Sequence, residues 1–170
     1  MDALQAITSR RSIRRYTDEP VTESEVETLL RAAMSAPSGF GQRSARYVVV
    51  REPDTRRMLS EVSKHAGPVA GAPVAIIVCG DTTAERHPGT YFVHDAVAAL
   101  ENLLTAAAAL GLGAVWVGVH PWPDRMDAVR AALALPEGVE PIATVAVGHP
   151  ESIPAAPDRY DETFVHRERW

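Results

Sequence analysis

The segment RRSIRRY, residues 10–16, places four arginines within six consecutive positions of a chain whose formal net charge is −5. A planar guanidinium group matches two phosphate oxygens at once. Each such charge-assisted hydrogen bond contributes about 1.5–3 kcal/mol when it is shielded from water. Two or three of them can hold a phosphorylated ligand at about micromolar affinity. The cluster therefore indicates a site for a small phosphorylated ligand.

Two other interpretations of the arginines start from the same residues. The cluster can be a solvated basic surface paired with Asp18 and Glu19, or a contact for nucleic acid. Nucleic-acid-binding domains usually spread positive charge over a whole face, whereas this chain has 22 acidic residues against 17 lysines and arginines. We therefore predict no nucleic-acid partner. The arginine cluster alone does not exclude the interpretation as a solvated basic surface.

Motifs for other chemistries are absent from the sequence. The glycines of GLGAVWVG, residues 111–118, precede a predicted strand, whereas a dinucleotide fingerprint follows a strand and opens a helix. The six histidines show no paired metal-ligand spacing, and Cys79 is the one cysteine. We predict that Cys79 is a buried structural thiol. No metal site and no catalytic side chain are assigned, so the chemistry needs a borrowed cofactor.

The sequence predicts a single domain, residues 1–170, with alternating helices and strands. Thr22 and Glu25 form a capping box at the start of one helix, and Gly111 ends the long apolar helix in the C′ position. The predicted helices are 3–9, 22–36, 53–66, 91–110 and 124–135; the predicted strands are 47–50, 73–79, 113–119 and 142–148; the predicted loops are 38–45 and 81–90. This loose alternation leaves a parallel βαβ array open.

The helix predicted at 91–110 is apolar nearly all round, which favours burial against a partner subunit. The acids Asp95 and Glu101 within it argue against a membrane span, because each would cost about 2.5–3.5 kcal/mol at bilayer depth. The first residues lack a charged lead followed by a long apolar run, so we predict no signal peptide and a cytoplasmic location.

Five stretches, in order and over nearly the whole chain, resemble motifs of the FMN-dependent nitroreductase family. They are RRSIRRY, APSGFGQRSARYVVV, YFVHDAVAALENLLTAAAALGLGAVWVGVHP, AVGHP and DRYDETFVHRERW. The resemblance implies an α+β fold with a mixed, mainly antiparallel central sheet surrounded by helices. It also implies an intertwined homodimer that binds FMN at the subunit interface.

The resemblance further implies a set of FMN contacts. Arg10, Arg11 and Arg159 would hold the phosphate, with Gly148 and His149 nearby. Ser12 and Arg14 would contact the ribityl chain and the pyrimidine edge. Pro37, Ser38 and Gly39 would line the isoalloxazine from the partner subunit, and Val117 and Gly118 would place a backbone N–H at flavin N5. Trp116 is assigned to the core and Arg15 to solvent.

The activity implied by the resemblance is an FMN-dependent NAD(P)H oxidoreductase. Hydride would pass through flavin N5 to a nitroaromatic, quinone or similar acceptor by a ping-pong mechanism, with NAD(P)H a transient visitor. Two alternatives are a non-catalytic protein that stores or senses FMN and a specialised biosynthetic flavin oxidase of the same superfamily.

The loop before the first strand departs from the family pattern. Where the family commonly has Asn, Gln, Pro and Trp, this chain has Gly41, Arg43, Ser44 and Ala45. The replacements remove polar contacts to the cofactor and the bulk of the tryptophan. Arg43 is a candidate cation for the flavin or the substrate.

Overall fold

Six helices and four strands follow one another along residues 1–87 and 91–170, the part of the chain that the computed structural model describes. The helices are α1 (Ala3–Ser9), α2 (Glu23–Met34), α3 (Pro53–Ser60), α4 (Pro68–Gly71), α5 (Phe92–Ala109) and α6 (Pro123–Leu133). The strands are β1 (Ala45–Val50), β2 (Val74–Asp81), β3 (Gly113–Gly118) and β4 (Val139–Gly148). Residues 88–90 of the predicted loop 81–90 lie outside the described residues.

The strands form one sheet in the order β1-β2-β4-β3, and each neighbouring pair is antiparallel. This arrangement confirms the mainly antiparallel sheet and shows that the parallel βαβ alternative was wrong. A parallel bridge between Ser12 and Ala114 extends the sheet beyond β3. Pro141 lies at the register shift opposite Cys79, where a residue without an N–H is tolerated in a strand.

Helices cover both faces of the sheet, which explains the unbroken apolar run of β2. Val74, Ile76 and Val78 belong to the core that α2 and α5 complete. The alternate residues Ala75, Ile77 and Cys79 belong to the core that α3, α4 and α6 complete. Burial, with a smaller effect of Glu140, raises the pKa of the Cys79 thiol to about 12. The prediction of a buried structural thiol is confirmed.

The long helix α5 packs through Leu100, Leu103 and Leu104. It ends as predicted, because Gly111 adopts a φ of +78° and the N–H of Leu112 donates to the carbonyl of Ala107 at 2.9 Å. Other residues of α5 are partly exposed, so one subunit does not bury the helix all round. No helix of residues 1–87 and 91–170 has the length and apolarity that a membrane crossing requires.

The arginine segment 10–16 is not helical. Helix α1 ends at Ser9, and the chain then runs beside β3, where the N–H of Ile13 donates to the carbonyl of Ala114 at 2.9 Å. The Tyr16 hydroxyl lies 2.6 Å from the carbonyl of Ile13 and 3.2 Å from that of Ala146, and burial raises its pKa. Pairing along the edge of the sheet therefore holds the segment in an extended form.

The C-terminal tail, residues 151–170, is exposed along its whole length. Two contacts join it to the arginine segment: Glu151 donates its N–H to the carbonyl of Arg15, and Arg11 donates to the carbonyl of Ala155. The tail leaves large apolar side chains in solvent, namely Ile153, Tyr160, Phe164, Val165 and Trp170. A single subunit therefore provides little apolar cover for the tail.

We expect Thr22→Ala to lower the free energy of unfolding by about 1 kcal/mol near neutral pH. Thr22 Oγ1 accepts from the N–H of Glu25 at 3.2 Å, and hydrogen bonds from Thr22 lower the pKa of Glu25 below 4.5. This stabilisation is present above the ordinary pKa of Glu25 and is lost as the pH falls through the lowered value. The difference between T22A and the unmodified chain should therefore shrink below about pH 4.

Thr28→Ala is the matched control for T22A, because the Thr28 hydroxyl bonds to the carbonyl of Ser24 inside the same helix and caps nothing. Urea denaturation at several pH values measures both variants. Equal losses for T22A and T28A would contradict the role of the cap.

Candidate functional site

Where the N-terminal segment meets the tail, Arg10 and Arg159 both lie close enough to Arg11 for their charges to act on it. Partial burial, together with the charges of Arg159 and Arg10, lowers the pKa of Arg11. Positive charges that lie near one another favour the binding of an anion. Glu101 on α5 offsets part of the charge, since its Oε1 lies 3.3 Å from Arg10 Nε. The cluster keeps an excess of positive charge in a protein that is acidic as a whole.

Arg10 and Arg11 have different local roles. Arg11 Nε and Nη2 donate to the carbonyl of Ala155 at 3.1 and 2.9 Å, which fixes the tail four residues before Arg159. Arg10 Nε is buried and makes no hydrogen bond in the described part of the chain, because its approach to Glu101 lacks hydrogen-bond geometry. A buried donor with only a poorly aligned acceptor is costly. An anion bound here would satisfy it.

Arg10 and Arg11 line a cavity of about 120 Å³, bounded also by Ser9, Ile13, Leu112 and Ile153. Pockets for drug-sized ligands measure roughly 300–1,000 Å³. The cavity therefore suits one compact group of a ligand, such as a phosphate, and the remainder must be covered by other surfaces.

The open edge of β3 carries two further predicted residues, Val117 and Gly118. Ala114 directs its carbonyl away from β4, toward Ile13, and backbone groups alternate along a strand, so Gly118 also directs its N–H and carbonyl outward. The Gly118 carbonyl accepts from Arg125 Nη1 at 3.0 Å. Ser12 and Arg14, both exposed, lie along the same edge. The structure thus places these four residues at the same edge of the sheet as the arginine cluster.

Gly118 and Gly148 differ in whether packing within their own subunit leaves room for a side chain. Among the described residues, a Cβ added to Gly118 would meet only Trp122 Cζ3, at an ordinary contact distance of 3.4 Å. A Cβ added to Gly148 would lie 2.7 Å from Pro73 Cδ and 2.9 Å from Tyr16 Cδ1. Packing within the subunit therefore accounts for Gly148, whereas crowding does not account for Gly118.

His149 points toward the start of α2. Its Nε2 lies 3.8 Å from Glu19 Oε1. Its assignment to the phosphate end stays a prediction. Arg15 is exposed, as expected. Trp116 is 41% exposed, so its assignment to the core is wrong for one subunit; it lies on the edge strand, where less of the fold covers it.

The segment between α2 and β1, which we name the 38–44 loop, has an unusual backbone. Phe40, Gly41 and Arg43 have φ values of +53°, +66° and +54°. The left-handed region costs residues other than glycine about 1–2 kcal/mol each. Ser38 Oγ accepts from the N–H of Arg43 at 3.0 Å. Such a conformation needs contacts that hold it.

Asp95, in the first turn of α5, provides contacts that hold the 38–44 loop. Its Oδ1 accepts from the N–H of Gly39 at 2.8 Å. Its Oδ2 accepts from Gln42 Nε2 at 3.2 Å and from Ser44 Oγ at 2.7 Å. The side chain is only 4% exposed, and Asp95 is the one buried acid among the described residues.

A second cavity, of about 630 Å³, lies beside this loop and has Pro37 and Ser38 in its wall. Its apolar wall includes Leu30, Met34 and Ala99, and Arg43 and Arg46 also line it. Arg46 Nη2 is paired with Asp81 Oδ2 at 2.8 Å. The size is that of a pocket for an organic ligand.

The two halves of the predicted site lie at opposite edges of the sheet. The 38–44 loop leads into β1, whereas the arginine segment runs beside β3, and β2 and β4 separate these strands. Three strand spacings of about 4.8 Å amount to roughly 14 Å. One subunit does not bring Pro37, Ser38 and Gly39 to the arginines.

Sequence reasoning missed the roles of Asp95 and Glu101. Both were treated only as charges that exclude a membrane span. An acid in the first turn of an apolar helix could have indicated such a role, because a buried carboxylate requires hydrogen-bond donors. The sequence did not indicate which donors, since Gly39, Gln42 and Ser44 lie 51–56 positions away.

Comparison with known proteins agrees with the fold and the motifs. A curated protein of Methanothermobacter thermautotrophicus, named "Putative NADH dehydrogenase/NAD(P)H nitroreductase", is 42% identical over 170 residues, covering 100% of this chain and 88% of its own. The "FMN reductase [NAD(P)H]" of Bacillus subtilis is 27% identical and covers 98% of this chain and 73% of its own.

A solved structure from Desulfovibrio desulfuricans, described as "a putative nitroreductase in complex with fmn", superposes with a TM-score of 0.86. It is 35% identical and covers 100% of this chain and 98% of its own. The sequence model of the Nitroreductase family matches residues 7–70 and 64–149. Both the resemblance and the expected fold are confirmed, and the chain belongs to the Nitroreductase family.

Proposed function

We propose that this protein is an FMN-dependent NAD(P)H oxidoreductase that reduces an electron-poor acceptor such as a nitroaromatic or a quinone. The observation that carries the proposal is a small cavity lined by Arg10 and Arg11, with the charge of Arg159 acting on Arg11, in a chain of the Nitroreductase family. The FMN in a related structure and the reductase names of the relatives support it.

The residues present fit the phosphate of FMN. Arg10 Nε is a buried donor whose contact with Glu101 lacks hydrogen-bond geometry, and the charges of Arg159 and Arg10 act on Arg11. A phosphate would relieve both conditions, because it accepts several charge-assisted hydrogen bonds. Gly148 and His149 belong to the surrounding structure, where the first packs on Tyr16 and the second faces Glu19.

The remaining residues would orient the flavin ring along the edge of β3. The chemistry that bound FMN supplies is ping-pong transfer of two electrons, from NAD(P)H through ring nitrogen N5 to the acceptor. Gly118 offers an outward N–H as a donor for N5, and Val117 holds that part of β3 against the sheet. Ser12 would contact the ribityl chain. Arg14 would stabilise negative charge at the pyrimidine edge.

A homodimer would complete this site. Pro37, Ser38 and Gly39 of the partner subunit would cover the ring, since the same residues of one subunit lie at the far edge of its sheet. The partly exposed face of α5 and the exposed apolar side chains of the tail supply surface for such an interface. Apolar exposure on this scale is typical of a surface that another chain covers.

A second candidate function is a non-catalytic FMN-binding protein. It is favoured by one observation, the replacement of family residues at Gly41, Arg43, Ser44 and Ala45. Both candidates predict a yellow protein. They differ in turnover, because only the oxidoreductase consumes NAD(P)H continuously when an acceptor is present.

We expect the FMN-loaded protein to oxidise NADH or NADPH with a quinone or a nitroaromatic, giving parallel double-reciprocal plots. Absorbance at 340 nm follows the nicotinamide. FMN binding without turnover would support the second candidate, and failure to bind FMN at all would contradict both.

We expect Arg11→Ala to weaken FMN binding by about 10- to 100-fold, because it removes charge-assisted hydrogen bonds worth about 1.5–3 kcal/mol. Riboflavin, which lacks the phosphate, should lose much less affinity. Arg31→Ala is the matched control, since Arg31 is exposed and pairs with Glu27 on α2. Quenching of flavin fluorescence measures each affinity. Equal losses for FMN and riboflavin would place the phosphate elsewhere.

A heterodimer of two defective chains tests the shared site. One chain carries Arg11→Ala and the other Pro37→Trp, and the two are co-expressed with different affinity tags. In a site built from both subunits, one site of the heterodimer receives both substitutions and the other receives neither. We therefore expect about half of the unmodified flavin content, while both homodimers stay largely empty. A heterodimer as empty as the homodimers would show that each subunit builds its site alone.

A further inference from the structure

We propose that Asp95 is a positioning residue for flavin binding and turnover, acting through the 38–44 loop. The inference rests on the proposed function, in which this loop covers the flavin bound to the partner subunit. Asp95 itself touches no cofactor in this assignment. It sets the place of the residues that do.

The geometry shows a carboxylate enclosed by donors of a single loop. Gly39 N, Gln42 Nε2 and Ser44 Oγ lie 2.8, 3.2 and 2.7 Å from its oxygens. Ser44 is fully buried and Asp95 nearly so. Two of the three buried polar residues within 1–87 and 91–170 thus bond to each other. A buried pair of this kind fixes the backbone around it.

These three donors require an acceptor that cannot donate. A carboxylate offers lone pairs on both oxygens, whereas an amide in the same place offers one oxygen and one N–H₂ group. In an Asp95→Asn variant, one of the loop donors would face another donor. The contact from Gly39 is the most direct for the site, because Gly39 is itself expected to line the isoalloxazine.

Gln42 also connects the loop to the next segment. Its Oε1 accepts from the N–H of Arg86 at 3.2 Å while its Nε2 donates to Asp95. The orientation of the amide is therefore fixed from both ends. A carboxylate at position 42 would keep the bond from Arg86 but would face Asp95 with a like charge, unless position 95 carried an amide.

Exchanging the donor and the acceptor between positions 42 and 95 therefore provides a test. D95N and Q42E should each raise the dissociation constant for FMN at least about tenfold and lower kcat/KM. The double variant D95N/Q42E restores a donor opposite an acceptor and should return both values to within about threefold of the unmodified protein. The visible circular dichroism of bound flavin should change in each single variant and recover in the double.

Hydrogen exchange in the flavin-free protein tests the anchor without any cofactor. The amides of Gly39 and Arg43 should exchange faster in D95N and recover in D95N/Q42E. Val129→Ala is the control for simple destabilisation, since Val129 is fully buried in the core on the other face of the sheet. It should lower the melting temperature and leave both amides and the flavin spectrum unchanged.

The outcomes separate this inference from the proposed function. If the unmodified protein binds FMN and turns over, and D95N does so with the same constants, the role of Asp95 is refuted. A double variant as impaired as either single one also refutes it. If the unmodified protein binds no FMN, the proposed function fails, and exchange of the loop amides alone decides whether the anchor exists. Should D95N not fold, Q42A and S44A each remove one donor and should weaken FMN binding at least threefold.

Discussion

β1 and β3 form opposite edges of the sheet because β2 and β4 lie between them. The arginine segment runs beside β3, and the 38–44 loop leads into β1. One subunit therefore holds a phosphate-sized cavity at one edge and a separate larger cavity at the other. The proposed site depends on this separation, since only a second copy of the chain can bring the missing edge to the arginines.

At the β3 edge the local charge is positive, although the chain as a whole is acidic. Arg11 anchors the tail through Ala155, and Arg159, four residues further on, lies close enough for its charge to act on Arg11 across nearly 150 positions of sequence. The repulsion among three cations is unfavourable until an anion binds. In the proposed site, a bound phosphate would offset this repulsion, so the complex would recover stability that the empty cluster gives up.

At the β1 edge, hydrogen bonds offset both the backbone strain of the loop and the cost of burying a charge. The left-handed conformations of Phe40 and Arg43 are unfavourable, and Asp95 alone would be unfavourable in the core. The hydrogen bonds from Gly39, Gln42 and Ser44 satisfy the carboxylate and hold the loop together. The loop in which this chain departs from the family pattern therefore has a defined local structure.

The sequence by itself determined the local elements, because capping, turns and apolar periodicity depend on neighbouring residues. The capping box of Thr22 and Glu25, the C′ position of Gly111 and the buried strand at Cys79 were all predictable in this way. The motifs also identified the family and predicted that the arginines contact the phosphate. Only the tertiary structure decided the order of the strands, the extended form of residues 10–16 and the partners of Asp95. These features depend on contacts between residues tens of positions apart, which local patterns do not specify.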